Sequence, residues 1–129
     1  MAYDTELQLF VDGAWQGSEG RDARPVLNPA SGDAIAAVPL ASKVDLDLAL
    51  DSVARGFVTW RNTDPAQRAA VLRKAATLMR ERVDAIATLL TTEQGKPIGE
   101  ARGEVGASAE LLDFYAAEAT RIDGRVLMR

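Results

Sequence analysis

Glu100 and Glu104 stand four residues apart with Glu93 just upstream, and they are the first residues whose types and spacing could do chemistry. On a helix this spacing sets two carboxylates side by side, where they could hold a cation or pass a proton. The same pattern is the ordinary solvated face of a helix, its mutual repulsion relieved here by Lys96 and Arg102. Glu100 and Glu104 are therefore read as surface, and Glu93 stays a candidate. Gly95-Lys96 invites comparison with a phosphate-binding loop, but that motif needs a glycine where this chain has Leu90. Gly99, Gly103 and Gly106 do not fit a dinucleotide fingerprint either, and no strand precedes them, so they are expected to form a bald helix face open to close packing.

Absence excludes more than any motif supplies. The 129 residues include no cysteine and no histidine. Thiolate nucleophiles, disulfides, Ser-His-Asp and Cys-His arrangements and Cys/His zinc sites are all ruled out within this chain. Lys and Arg total 15 against 19 Asp and Glu, a net charge of -4. The signs are interleaved; even the stretch from Arg68 to Arg82, the most basic in the chain, is broken by Glu81, so nucleic acid is not an expected partner. Met1 to Glu6 has no basic region followed by an apolar run, and no stretch has the ~18 apolar residues of a membrane span. The expectation is a soluble, cytoplasmic, single globular domain.

The elements that would position these groups fall into two kinds. Leu7 to Val11, then Asp12-Gly13, then Trp15 reads as a hairpin on a two-residue turn. Pro25 to Leu27, the turn cluster Asn28 to Asp33, and Ile35 to Leu40 read as a second, with Ser18 to Arg24 as the loop between. From Ser42 the period changes: Leu46, Leu50, Val53, Phe57 and Trp60 alternate by four and three, predicting one buried helix face capped by Ser42 and Asp45. Asp64-Pro65 opens a second helix with the stripe Ala69, Leu72, Ala76, Met79, Val83, Ile86 and Leu90, either continuous or kinked near Arg82. Gly95 and Pro97 stop it and start the last helix, with Ile98, Ala101, Val105, Ser108, Leu112, Tyr115, Ala119 and Ile122 on one face and Gly124 as its stop. Trp15, Phe57, Trp60 and Phe114 are expected in the core. Two hairpins and three or four helices with no intervening strand cannot make a parallel sheet.

Taken in order, Leu9-Phe10-Val11-Asp12-Gly13-Ala14-Trp15 and Val26-Leu27-Asn28-Pro29-Ala30-Ser31-Gly32 resemble the opening of the aldehyde dehydrogenase superfamily. Ala49-Leu50, Phe57, Trp60-Arg61, Arg68 to Ala76 and Leu89 to Glu104, with Glu93-Gln94-Gly95-Lys96-Pro97 at the centre, continue the likeness along the whole chain. Within that superfamily the last run looks most like the succinate-semialdehyde dehydrogenase branch. The resemblance implies an α+β fragment at the periphery of the family's cofactor-binding domain, without its Rossmann sheet. Residues 1–129 would be that domain's N-terminal segment, hairpins over about 7–40 and helices over about 43–123.

The same resemblance implies what the full-length protein does. A cysteine thiolate attacks an aldehyde, hydride passes to NAD or NADP, and a glutamate helps water release the acid. The residues for those steps and the nucleotide-binding loops lie downstream, so no catalytic or cofactor-binding residue is assigned and this chain alone is expected to be inactive. Ala107 and Leu111 align near the aldehyde entrance; relatives often carry an aromatic residue where this chain has Ala107. Glu93 aligns with an acidic residue that, with carbonyls near Val26, holds a monovalent cation in some relatives. The implied partners are the remainder of the subunit, further copies in a homo-oligomer, and a small aldehyde. The family's next strand and cofactor domain are expected beyond Arg129, and without them the helices should show a sizeable apolar patch. The alternative is a non-catalytic helical interaction module that keeps this opening segment and uses its apolar face to bind a partner or itself.

Overall fold

A computed structural model describes residues 6–124 and 127; the reading of Met1 to Thr5 lies outside it. The chain forms two compact units, one from residues 1–61 with 89–96 and the other from 62–88 with 97–129.

The first unit begins with β1 (Leu9–Val11) and β2 (Ala14–Gln16), antiparallel with Phe10 opposite Trp15. Asp12 and Gly13 take left-handed φ of 52° and 79°, the pair a two-residue turn demands if its twist is to match the strands. One face of this hairpin buries Val11; the other carries the Phe10 and Trp15 rings, centroids 4.8 Å apart and exposed. The second hairpin pairs β3 (Ala23–Leu27) with β4 (Ala34–Pro39), with a bulge at Val26/Leu27. Its turn is closed by Asn28 N–H to the Asp33 carbonyl (2.8 Å), Gly32 N–H to the Asn28 carbonyl (2.7 Å) and Ala30 N–H to Asn28 Oδ1 (2.9 Å). Strand β3 starts two residues before the expected Pro25, because Ala23 and Arg24 find partners in Pro39 and Val38. Helix α1 (Lys43–Arg61) follows, packed on β1. At its start Ser42 Oγ accepts from Asp45 N–H and the Asp45 carboxylate accepts from Ser42 N–H, the reciprocal cap the spacing predicts.

The second unit is built on α2 (Pro65–Glu81) against α4 (Ile98–Glu118). Asp64 caps α2 by accepting from Ala66 N–H at 2.8 Å, and Pro65 fills the first helical position. The seam is made of alanines: Ala69 and Ala76 on α2 and Ala101, Ala109 and Ala116 on α4 are fully buried. Side chains this short let two backbones approach closely and interdigitate. Arg80 to Asp113 (2.7 Å) ties α2 to α4 at the seam's edge, and Arg102 of α4 bonds Asp84 (2.8 Å), just past α2 in the chain. The long stripe through Arg82 proves to be two helices, α2 and α3 (Val83–Gln94). Arg82 breaks them at φ -112°, ψ 17°, its N–H shared between the Leu78 and Met79 carbonyls at 3.2 Å each.

Several expected positions shift. The α4 seam follows Ala101 and Val105 and then runs through Ala109 and Ala116 rather than Ser108 and Tyr115; Tyr115 is exposed. Helix α4 ends at Glu118, so Ala119 is its cap and Ile122 lies beyond it. Here Arg121 N–H bonds to the Glu118 carbonyl at 2.9 Å, tightening the chain to i→i−3 turns, while Thr120 Oγ1 donates to the Ala117 carbonyl at 2.9 Å. A Cβ at Gly99, Gly103 or Gly106 would meet nothing within 4 Å, so these glycines border open space instead of a packed neighbour. Trp15, Phe57, Trp60 and Phe114, expected in the core, are all exposed, as is the whole Leu46–Trp60 stripe of α1. None of the helices among the described residues is long and apolar enough to cross a membrane.

Candidate functional site

A dense polar cluster gathers around Arg21, in the loop between the hairpins. Arg21 Nη2 donates to Gln16 Oε1 and Asp45 Oδ1, each at 2.7 Å, and Nη1 donates to the Gly17 carbonyl at 3.1 Å. Asp45 Oδ2 accepts from Ser42 N–H and Ser42 Oγ, both at 2.8 Å. Guanidinium, strand end, loop and helix cap are thus tied at one point. The Arg21 side-chain bond, then the Ser42 bonds, hold the Asp45 carboxyl well below the usual carboxylate range, against the opposing pull of burial. A carboxylate so fully engaged accepts hydrogen bonds but is too weak a base to take a proton near neutral pH. The cluster is architecture, and sequence reasoning found only its local half: the Ser42–Asp45 spacing announces the cap, whereas Arg21 lies 24 residues from Asp45 with no pattern to signal it.

Of the three sequence candidates, Glu93 sits in the last turn of α3, exposed, in the first unit. Just after it Gly95 takes φ 75°, its N–H bonded to the Thr91 carbonyl at 2.8 Å, and a Cβ there would meet Pro29 Cγ at 3.1 Å. The end of α3 therefore lies against the β3–β4 turn. Among the described residues no three His, Cys, Asp or Glu side chains gather as a metal-binding group. Ala107 and Leu111 lie four apart on α4 in the second unit, both exposed on one face. Neither approaches Glu93 in sequence or shares its unit. Gly99, Gly103 and Gly106 are interior to α4, their geometry helical rather than that of a phosphate-binding turn.

A geometry of hairpins, alanine-seamed helices and a polar node, in a chain with no cysteine, is informative only through what it is part of. The family model described as "Aldehyde dehydrogenase family" matches residues 15–129. The chain belongs to the aldehyde dehydrogenase family. Among its relatives in the family, it is 37% identical over 117 residues to succinate-semialdehyde dehydrogenase [NADP(+)] of Escherichia coli, covering 91% of this chain and 24% of the relative. It is 39% identical over 120 residues to 4-(hydroxymethyl)benzenesulfonate dehydrogenase of Comamonas testosteroni, covering 93% and 25%. The crystal structure of succinate-semialdehyde dehydrogenase from Burkholderia pseudomallei superposes with a TM-score of 0.90 at 31% identity, over 96% of this chain and 26% of that one. The α+β arrangement of two hairpins and four helices is thus part of the aldehyde dehydrogenase fold, and the chain spans about a quarter of the length of these relatives.

Proposed function

We propose that this chain is the N-terminal segment of the cofactor-binding domain of an aldehyde dehydrogenase that oxidises a small aldehyde, succinate semialdehyde among the candidates, to its acid with NAD or NADP. The carrying observation is the family match over residues 15–129, joined to a fold that superposes on a quarter of each solved relative. The chemistry belongs to the remainder of the subunit, because a chain without cysteine cannot form a thioester. The full-length protein is cytoplasmic and homo-oligomeric in this reading.

Two roles fall to this segment. Ala107 and Leu111 line the aldehyde entrance, and the small Ala107 leaves it wider than an aromatic would. The Glu93 carboxylate, with backbone carbonyls near Val26, holds a structural monovalent cation; in support, Gly95 abuts Pro29, and the bulge at Val26/Leu27 interrupts the ladder beside it.

The test joins this chain, in place of the corresponding segment, to the remaining three quarters of the Escherichia coli relative. Reduced-cofactor absorbance should rise with succinate semialdehyde, and the unjoined 129-residue chain should give no rise with any aldehyde. Turnover by the chain alone, or a folded hybrid inert toward every aldehyde, overturns the reading. The exposed apolar stripe of α1 favours a second reading, an interaction module, which a stable self-complex of the isolated chain would support.

A further inference from the structure

We infer that Asp12–Gly13 is a latent isoaspartate-forming site, held unreacted by the ion pair to Arg55 of α1 and by the geometry of its own turn. Asp followed by Gly is the pair in which a backbone nitrogen most readily reaches the preceding carboxyl carbon, because glycine puts no Cβ in its way. In that reaction the Gly13 nitrogen bonds to Asp12 Cγ and gives up its proton while a hydroxyl leaves Cγ, so that one water is lost and a five-membered succinimide closes. Water then opens the ring. Breaking the nitrogen's bond to Cγ restores aspartate; breaking its bond to the Asp12 main-chain carbonyl carbon leaves isoaspartate, with the chain running through Cβ and Cγ. Nothing is oxidised or reduced, and solvent is the only co-reactant.

Burial does not shield this pair. The Asp12 side chain is 61% exposed, and among the described residues a Cβ built on Gly13 meets no atom within 4 Å. Restraint comes instead from α1, which packs on β1 and whose Arg55 Nη2 donates to Asp12 Oδ1 at 2.9 Å, 43 residues along the chain. This bond acts in two ways. An ionised carboxyl resists attack, since oxide rather than water would have to leave; the Ser52 hydroxyl first, and then Arg55, hold the Asp12 carboxyl below its ordinary value, so its neutral, reactive form is scarcer. Ring closure also requires Cγ to eclipse the main-chain carbonyl carbon, away from any staggered rotamer, and the Gly13 nitrogen to turn toward it. The Arg55 anchor opposes the first rotation. The left-handed pair of residues, φ 52° and 79°, opposes the second, because turning that peptide undoes the turn joining Val11 to Ala14.

Isoaspartate at this position would lengthen the main chain by one carbon inside a two-residue turn. Val11 would shift against Ala14 and Phe10 against Trp15, so an unreacted Asp12 keeps the register of the hairpin on which α1 packs.

Ageing the 129-residue chain in warm, mildly acidic buffer tests this, with electron-transfer fragmentation of the tryptic peptide Met1 to Arg21 to locate isoaspartate and circular dichroism to check folding. The folded wild type should isomerise at Asp12 about tenfold more slowly than the same chain unfolded in guanidinium chloride, since turn and ion pair must both yield first. Arg55→Ala should raise the folded rate about three- to fivefold with unchanged helicity, the size expected of an exposed charge pair. Arg55→Lys, which keeps the charge, should restore most of the protection. Lys43→Ala removes a different exposed ion pair of α1, the one to Asp47, and should leave the wild-type rate unchanged. A folded wild type as fast as the unfolded chain, an Arg55→Ala chain as slow as wild type, or a Lys43→Ala chain as fast as Arg55→Ala overturns the proposal. None of these readouts involves aldehyde or cofactor, so failure here leaves the proposed function standing.

Discussion

Asp45 shows how much one side chain can organise when its two oxygens look in different directions: one receives Arg21, the other the backbone and hydroxyl of Ser42. Because its pKa is lower folded than unfolded, its stabilisation is fully present above the unfolded value near 3.9 and is lost as pH falls through the folded one. Asp45→Asn should lower the melting temperature at pH 7 and flatten its fall below about pH 4, as followed by circular dichroism; equal slopes for both proteins would deny the carboxylate this role. Gly95 is the other residue with a single physical demand. A side chain there meets both a left-handed backbone and Pro29, so Gly95→Ala should cost about 1–2 kcal/mol in urea titration. Both the Ser42 cap and the Gly95 stop were legible in the sequence because they act within one helical turn. Arg21 was not, since nothing local distinguishes a loop arginine that will meet Asp45 from one that will stay in water.

At the scale of elements, periodicity marked apolar faces but not what covers them. The α1 stripe has the spacing of a buried face and is exposed, because its spacing says nothing of where a partner comes from. In α4 the apolar period matches the buried face at Ala101 and Val105 and departs from it beyond, since a seam of alanines is set by backbone approach, which favours the smallest side chain over the most apolar one. Ala109 is fully buried between α2 and α4, so Ala109→Leu should force the helices apart and destabilise by roughly 1–3 kcal/mol by thermal melting, despite adding apolar volume. A neutral result would mean the seam is looser than its alanines imply. The clamp Arg80 to Asp113 is half-exposed, and Asp113→Ala should cost only about 0.2–1 kcal/mol.

The whole molecule presents far more large apolar side chains to water than a self-sufficient domain of its size would, and a chain spanning a quarter of its relatives explains why. The native chain should enhance the fluorescence of anilinonaphthalene sulfonate without unfolding, and Phe57→Ser with Trp60→Ser should remove most of that signal. An unenhanced native spectrum would show the face to be covered. One feature of the architecture also sets an order of events. The first unit closes only when residues 89–96 return to it, after the chain has laid down 62–88 for the other unit. On a ribosome adding ~5–20 residues per second, the hairpins and α1 wait a few seconds for the segment whose Gly95 seats on Pro29. Nascent chains arrested before residue 89 should therefore leave the Asn28–Asp33 turn open to protease, and those extended beyond Lys96 with room to clear the tunnel should close it, making the second hairpin's maturation a timed step in synthesis.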